Sequence, residues 1–307
     1  MDTYRILLLD DDDFILAALQ RELLRKPYIG HAGLEIETFT SPSAALARAQ
    51  EADGYFDVVI SDIRMPEMSG IDFLKAFGNI HPDAASILLS GHADMPELIQ
   101  AINEAHINFF IAKPWTEYDL KRALWEAIRH YDTRYTNRQL ANQYLDRFGL
   151  RHQFKRKEIY HLMVVDDDPQ VLRALERELG KSYTRGAFGI YRLEVDAFDH
   201  ADAALQAAHE RQFDVVISDY AMPEMNGVEF LRRIKEVQPD AVRMLISGTA
   251  DVEVLIAAVN TGGVSYFIGK PWYDYELRAA IDRALSHREM ELENRFLADL
   301  LLLKEQH

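Results

Sequence analysis

One 18-residue motif occurs twice in this chain, and the duplication is the strongest constraint on what the chain can fold into. Residues 57–74 read DVVISDIRMPEMSGIDFL and residues 214–231 read DVVISDYAMPEMNGVEFL, identical at 13 of 18 aligned positions. In each copy a β-branched apolar run ends in one aspartate, Asp62 or Asp219, and a Met-Pro turn follows. A strand this apolar is buried on both faces of a sheet, so its terminal carboxylate is expected at the rim of that sheet.

The repeat extends well beyond the motif. In both copies an apolar run and an acidic cluster precede the shared aspartate, and a Ser-Gly pair and a Lys-Pro-Trp segment follow it. Ser90 and Ser247 each lie 28 residues after the aspartate, and Lys113 and Lys270 each lie 23 residues after the serine. The copies are offset by 157 residues. That offset is too long for a solenoid repeat and suits one compact domain per copy.

Short apolar strands alternate with helical patterns in both copies, which is typical of βαβ units and a parallel sheet. The predicted strands lie near 4–9, 34–39, 57–61, 86–90 and 107–111, and near 160–165, 192–197, 214–218, 243–247 and 265–268. The predicted helices of the first copy lie near 14–25, 42–51, 70–78, 95–105 and 117–130. This pattern predicts a three-layer α/β sandwich for each copy.

Helical periodicity continues past the end of each copy. The last helix of the first copy is expected to run to about Phe148 and to stop at Gly149, and a similar apolar stripe extends from Leu277 to Leu303. We predict a first domain at 1–130, a helical linker at 131–157, a second domain at 158–287 and a helical tail at 288–307. The stripes most simply cover each domain's own core, and their overshoot also allows a dimeric coiled coil.

Composition argues against several classes of protein. The net charge of −16 disfavours general nucleic-acid binding, which needs a basic surface, and the short basic segment 151–157 is interpreted as a solvated linker. The absence of cysteine excludes disulfides and thiolate metal sites. No signal peptide is predicted, and no apolar stretch approaches the ~20 residues that span a bilayer. A cytoplasmic protein without a membrane partner is therefore expected.

The polar residues that end the strands predict a common site. Ligands of a doubly wound parallel sheet bind outside the carboxyl ends of the strands, where the strand order reverses. Asp10 and Asp11 follow strand 1, Asp62 ends strand 3, Ser90 ends strand 4 and Lys113 follows strand 5. Clustered carboxylates should bind a hard cation, and Mg²⁺ suits them because it takes one or two carboxylates and readily adds a phosphate oxygen.

A carboxylate beside a metal ion and a lysine can accept a phosphoryl group. Asp62 is the predicted nucleophile, while Mg²⁺, Lys113 and the Ser90 hydroxyl would each take one phosphoryl oxygen. The second copy repeats the arrangement with Asp219, Asp166, Asp167, Ser247 and Lys270.

These motifs, in this order and twice over, resemble the response-regulator receiver domain over about 1–130 and 158–287. The resemblance implies two flavodoxin-like (βα)5 domains, joined here by a long helix. It implies Mg²⁺-dependent transfer from the phosphohistidine of a sensor histidine kinase or histidine phosphotransfer protein, followed by slow self-dephosphorylation. It also implies that the backbone carbonyls of Arg64 and Ala221 help to bind the metal ion. On phosphorylation the serine would move to the phosphoryl group and an aromatic ring, Phe110 or Phe267, would rotate inward.

Two positions that tune phosphate lifetime in the family differ between the copies, Arg64 against Ala221 and His92 against Thr249. We therefore expect the two phosphates to decay at different rates.

The sequence is interpreted as a tandem-receiver response regulator whose phosphorylation switches contacts with a downstream protein partner, or within a homodimer formed by the long helices. A phosphate sink in a branched relay is a second version of this function. One alternative is a phosphatase of the haloacid-dehalogenase type, although the run 10–13 lacks the threonine that such enzymes carry. Another is an adaptor that acts without phosphorylation. Asp12, Asp13 and Asp168 are interpreted as turn or helix-cap residues, and Phe110 and Phe267 could also be plain core residues.

Overall fold

The computed structural model describes residues 3–25, 33–91, 95–148, 157–180, 184–186, 189–248 and 251–305. The chain divides into two compact units, Met1–Thr136 and Asn137–His307. Each unit is built around one predominantly parallel sheet with helices on both faces. The predicted fold, two flavodoxin-like domains joined by a long helix, is confirmed.

The described residues of the first unit form five parallel strands in the order β2-β1-β3-β4-β5. The strands are β1 (Thr3–Leu9), β2 (Gly33–Phe39), β3 (Val58–Asp62), β4 (Ala85–Ser90) and β5 (Phe109–Ala112). The helices are α1 (Asp13–Leu24), α2 (Pro42–Ala49), α3 (Gly70–Ile80), α4 (Met95–Ala105) and α5 (Glu117–Phe148). The strand order reverses between β1 and β3, so the crevice at their carboxyl ends receives the residues that follow these two strands.

The second unit repeats this arrangement and adds an edge strand. Its strands are β6 (Ile159–Val165), β7 (Thr184–Gly186), β8 (Gly189–Phe198), β9 (Val215–Asp219), β10 (Val242–Ser247) and β11 (Tyr266–Gly269), in the order β11-β10-β9-β6-β8-β7. Its helices are α6 (Pro169–Leu179), α7 (Ala201–Glu210), α8 (Gly227–Val237), α9 (Val252–Ala257) and α10 (Asp274–Glu305), with a π-helical turn at Ala258–Gly262. The switch point lies between β6 and β9.

The short edge strand β7 pairs antiparallel with the start of β8, and the sequence analysis did not predict it. Three residues are too few for a periodic pattern. The adjacent strand is predicted to begin near 192, but β8 begins earlier, at Gly189. Ile190 is exposed and Tyr191 is buried, so the alternation of a strand already operates there.

Apolar side chains cover one face of the sheet in the first unit. In the first unit one face of the strands packs against the apolar stripes of α1 and α5, with Leu19, Leu120 and Leu124 completely buried. Helix α1 begins where Asp12 caps it, since the Asp12 carboxylate accepts the backbone N–H of Phe14 at 2.8 Å. Asp168 caps α6 in the same way, so the cap interpretation of these two residues is correct.

The overshoot of α5 ends at Phe148, as predicted, and its last part belongs to the second unit. There it packs against the last turns of α10, with four buried residues at the contact: Ala141, Tyr144, Leu297 and Leu301. Arg147 Nη1 lies 2.7 Å from Glu305 Oε1, so the two helices end side by side and run parallel. We call this contact the helix clasp. The expected stop at Gly149 and nearly all of the basic segment 151–157 lie outside the described residues.

Candidate functional site

Two buried carboxylates and one lysine meet at the carboxyl ends of β1, β3 and β5. Lys113 Nζ donates to Asp10 Oδ2 at 2.6 Å and also to Asp62 Oδ1. Asp10 and Asp62 are both buried, and they are brought together because parallel strands end at one edge of the sheet. The predicted convergence of Asp10, Asp62 and Lys113 is therefore observed.

The second unit builds the same trio. Lys270 Nζ lies 2.6 Å from Asp166 Oδ2 and 2.5 Å from Asp219 Oδ1. Asp166 and Asp219 are again buried. The two sites thus agree in both composition and geometry.

Backbone amides hold the second oxygen of each carboxylate. The N–H of Asp12 donates to Asp10 Oδ1 at 3.0 Å, and the N–H of Arg64 donates to Asp62 Oδ2 at 2.8 Å. In the second unit the corresponding bonds run from Asp168 to Asp166 at 2.9 Å and from Ala221 to Asp219 at 2.6 Å. Each aspartate is thereby oriented by a lysine on one side and by the N–H two residues later on the other.

A glycine at the start of the following helix makes room for this turn. A Cβ on Gly70 would lie 1.9 Å from the carbonyl oxygen of Asp62, and one on Gly227 would lie 2.1 Å from that of Asp219. No side chain fits at that distance. The glycine that ends the repeated Met-Pro motif therefore lets helix α3 or α8 start directly against the aspartate.

Burial and charge act in opposite directions on these groups. Burial raises the pKa of Asp10, and the hydrogen bond from Lys113 only partly offsets this. Burial lowers the pKa of Lys113, but the hydrogen bonds to Asp10 and Asp62, together with the negative charges of both residues, raise it overall. Asp166 and Lys270 shift in the same directions for the same reasons. The lysine is consequently held as a cation between two carboxylates.

The remaining predicted residues lie around the trio. Ser90 and Ser247 are buried at the ends of β4 and β10, and their carbonyl oxygens accept the backbone N–H of Lys113 at 2.6 Å and of Lys270 at 2.9 Å. Asp11 and Asp167 are exposed at the rim. His92 and Thr249 lie outside the described residues.

Phe110 and Phe267 point into the interior of their own units. Only 2% of Phe110 and 3% of Phe267 is exposed, so both are core residues in this conformation. Their proposed rotation on phosphorylation stays a prediction.

The side chains at each site suit Mg²⁺ better than a metal ion that is held by three or more protein side chains. Among the described residues no three His, Cys, Asp or Glu side chains are grouped so that they could hold a metal ion. Mg²⁺ does not need such a cage, because it commonly binds one or two carboxylates together with water and phosphate oxygens. Asp10 and Asp62, with Asp11 at the rim and the backbone carbonyl of Arg64, would supply that partial shell; Asp166, Asp167, Asp219 and the carbonyl of Ala221 would do so in the second unit.

The sequence analysis missed one side chain at the edge of the first site. Glu97, in the first turn of α4, makes a two-pronged ion pair with Arg64, with contacts of 3.0 and 3.1 Å from Nε and 3.0 Å from Nη2. The sequence contains an indirect sign of this pair. The second copy has Ala221 and Val254 at the aligned positions, so both members of the pair differ together between the copies.

Comparison with known proteins decides the family. The profile of the response regulator receiver domain matches residues 6–125 and again residues 162–282. The chain belongs to the response regulator receiver family. Residues 6–125 are called the first receiver below, and residues 162–282 the second receiver.

Two relatives each match a stretch about as long as one receiver. The hydrogenase transcriptional regulatory protein HoxA of Bradyrhizobium diazoefficiens is 31% identical over 132 residues, 43% of this chain and 25% of HoxA. The response regulator protein TmoT of Ectopseudomonas mendocina is 37% identical over 125 residues, 40% of this chain and 52% of TmoT. This chain spans between about a quarter and just over half of the length of the curated relatives it matches.

A solved structure with similar sequence is the signal receiver domain of an HD domain-containing protein from Pseudomonas fluorescens Pf-5. It is 31% identical, covers 43% of this chain and 98% of its own, and superposes with a TM-score of 0.37. No helix in the described part of this chain combines the length and apolar character needed to cross a membrane.

Proposed function

We propose that this chain is a tandem-receiver response regulator that accepts phosphoryl groups on Asp62, Asp219 or both. The observation that carries the proposal is the duplicated trio, in which a buried strand-end aspartate shares a lysine with a second buried aspartate. Two sites with the same lysine contacts and the same backbone hydrogen bonds favour a chemical task common to both.

Each residue of the trio would have a defined part in the transfer. One carboxylate oxygen of Asp62 would exchange its present hydrogen bond for a new O–P bond, formed in line as the P–N bond of a phosphohistidine breaks, and the leaving imidazole takes the electron pair of that bond. Lys113 would offset the charge of one phosphoryl oxygen as a compact cation, and the Ser90 hydroxyl would donate to another. Mg²⁺, bound at Asp10 and Asp62, would supply charge neutralisation and orientation of the phosphoryl group. Asp219, Asp166, Ser247 and Lys270 would act likewise.

The partners follow from this chemistry. The phosphoryl donor would be a sensor histidine kinase or a histidine phosphotransfer protein, and the output would be a change in protein contacts, with a downstream partner or within a homodimer. Such a switch shifts a pre-existing equilibrium between conformations. The net charge of −16 is the reason we propose no direct nucleic-acid contact.

A phosphatase of the haloacid-dehalogenase type is not favoured. Its nucleophile would follow the first strand and would leave the second carboxylate, at the end of β3, without a task. The adaptor alternative differs in one respect: it predicts that partner binding is the same with or without phosphorylation.

Transfer from a purified phosphohistidine donor tests the proposal. The chain is mixed with a radiolabelled, phosphorylated histidine phosphotransfer protein, with Mg²⁺ or with excess EDTA, and with p-nitrophenyl phosphate in a parallel reaction. We expect Mg²⁺-dependent labelling that stops at no more than one phosphoryl group per receiver, without turnover of the ester. Many turnovers of the ester would favour the phosphatase. A chain that remains unlabelled would favour the adaptor that acts without phosphorylation.

A further inference from the structure

The ion pair between Arg64 and Glu97 connects the phosphoacceptor turn of the first receiver to helix α4. Arg64 follows the acceptor by two residues, and its own backbone N–H donates to Asp62 Oδ2 at 2.8 Å. Its guanidinium is turned to Glu97, with Nε and Nη2 both donating to the carboxylate. The side chains are 56% and 30% exposed, so the pair lies at the surface of the crevice.

The second receiver has no equivalent of this connection. Ala221 occupies the position of Arg64, and Val254, in α9, occupies the position of Glu97. The lysine contacts of the acceptor and the N–H bond from the residue two positions later are nevertheless the same in both receivers. The pair is thus an addition to one site and not a requirement of the shared fold.

We infer that Glu97 is a positioning residue that holds the Arg64 guanidinium on α4, and that a phosphoryl group on Asp62 competes with Glu97 for it. This inference rests on the proposed function. Arginine binds phosphate and carboxylate through the same planar fork of donors, and a phosphoryl group presents more negative charge than Glu97 does. An exposed ion pair contributes little stability, so the exchange costs little.

The exchange would make the attachment of α4 depend on whether Asp62 is phosphorylated. While Arg64 is paired with Glu97, the first turn of α4 is attached to the turn that follows β3. When Arg64 turns to the phosphoryl group, that attachment is released. Phosphorylation of the first receiver would thereby change the attachment of α4, and the second receiver lacks the residues for this change.

Beryllofluoride binding tests the competition directly, because beryllofluoride with Mg²⁺ mimics a phosphoryl group at equilibrium. The full chain carries Asp219→Asn, so that only the first receiver can bind, and the bound fraction is measured by fluorine NMR. Glu97→Gln removes the negative charge that competes for Arg64 and is expected to tighten binding by about two- to fivefold, the factor that one exposed ion pair supplies. Arg64→Ala is expected to weaken binding.

The double variant separates positioning from general structure. If Glu97 acts only through Arg64, then Arg64→Ala with Glu97→Gln should bind like Arg64→Ala alone. Glu104→Gln is the matched control, because Glu104 lies at the other end of α4 and pairs with Lys75 of α3 at 2.7 Å; it should leave binding unchanged.

The outcomes divide clearly. Weaker or unchanged binding in Glu97→Gln, or additive effects in the double variant, would overturn the inference and leave the proposed function in place. Failure of the Asp219→Asn chain to bind beryllofluoride would remove Asp62 as an acceptor and this inference with it, and failure of the unsubstituted chain as well would remove the proposed function.

Discussion

Burial of the Asp10 and Asp166 carboxylates is unfavourable for the stability of the folded protein. Each is almost fully buried, and burial raises the pKa of each despite the adjacent lysine. A group whose pKa is raised on folding stabilises the fold below its unfolded pKa, and that contribution is lost as the pH rises through the folded value. Near neutral pH both residues therefore weaken the fold, at the place where we propose that a cation binds.

Replacement of Asp10 by asparagine should make this cost visible. Asparagine resembles the protonated carboxyl, so Asp10→Asn is expected to raise the free energy of unfolding by about 1 kcal/mol at pH 7, as functional-site substitutions often do. The gain should vanish below about pH 4, where aspartate is protonated even in the unfolded chain. Denaturant unfolding at several pH values measures it.

The neighbouring cap residue provides the control for that experiment. Asp12→Asn retains a helix cap, because asparagine caps as well as aspartate does, and it should change stability little at any pH. A gain in Asp10→Asn that is the same at pH 4 and pH 7 would contradict the stated cause.

The turn between β3 and α3 shows what can be predicted for an element and what cannot. The repeated motif places Asp62, the Met-Pro turn and Gly70 in the sequence, so the site's composition is predictable from the spacing, and the resemblance to the receiver domain implies the order of its strands. The reason for the glycine is not, because it is a contact with the carbonyl oxygen of Asp62 that only the folded turn creates. The pairing of Arg64 with Glu97 is invisible for the same reason, since 33 residues separate the two.

A pair of glycine substitutions within α3 tests this account of the turn. Gly70→Ala places a methyl group against the backbone of Asp62 and should destabilise the first unit by about 3 kcal/mol, as overpacking does. Gly78→Ala, in the same helix, has no atom within 4 Å of the new Cβ and should stabilise it by about 0.5–1 kcal/mol. Thermal unfolding of both variants measures the difference, and similar shifts in the two would contradict it.

At the scale of the whole molecule the duplication predicts two domains, but it does not predict the helix clasp. The apolar stripes of α5 and α10 extend past their sheets, and a stripe alone does not say what covers it: the domain's own core, a second copy of the chain, or another helix. In the structure the ends of the two helices cover each other, with Leu301 completely buried and the Lys304 ammonium 3.8 Å from the ring centre of Phe148. A homodimer through these helices stays a prediction and would have to use other faces of them.

Two leucines in α10 test the clasp with the same chemical change. Leu301→Asp buries a charge in the clasp and should speed hydrogen exchange of 137–148 and 291–305 by about tenfold or more, since a buried leucine contributes about 1.5–3 kcal/mol. Leu303→Asp changes a residue that is 56% exposed and should have little effect. In the unsubstituted chain the protection should not depend on concentration. Protection lost on dilution would assign the contact to two copies of the chain.

The most direct test of the central claim is a count of phosphoryl adducts by intact mass after treatment with acetyl phosphate and Mg²⁺. The account predicts one or two adducts on the unsubstituted chain, loss of the corresponding adduct in Asp62→Asn or Asp219→Asn, and none on the double variant or in the presence of EDTA. An adduct that persists on the double variant would contradict the assignment of Asp62 and Asp219 as the acceptors.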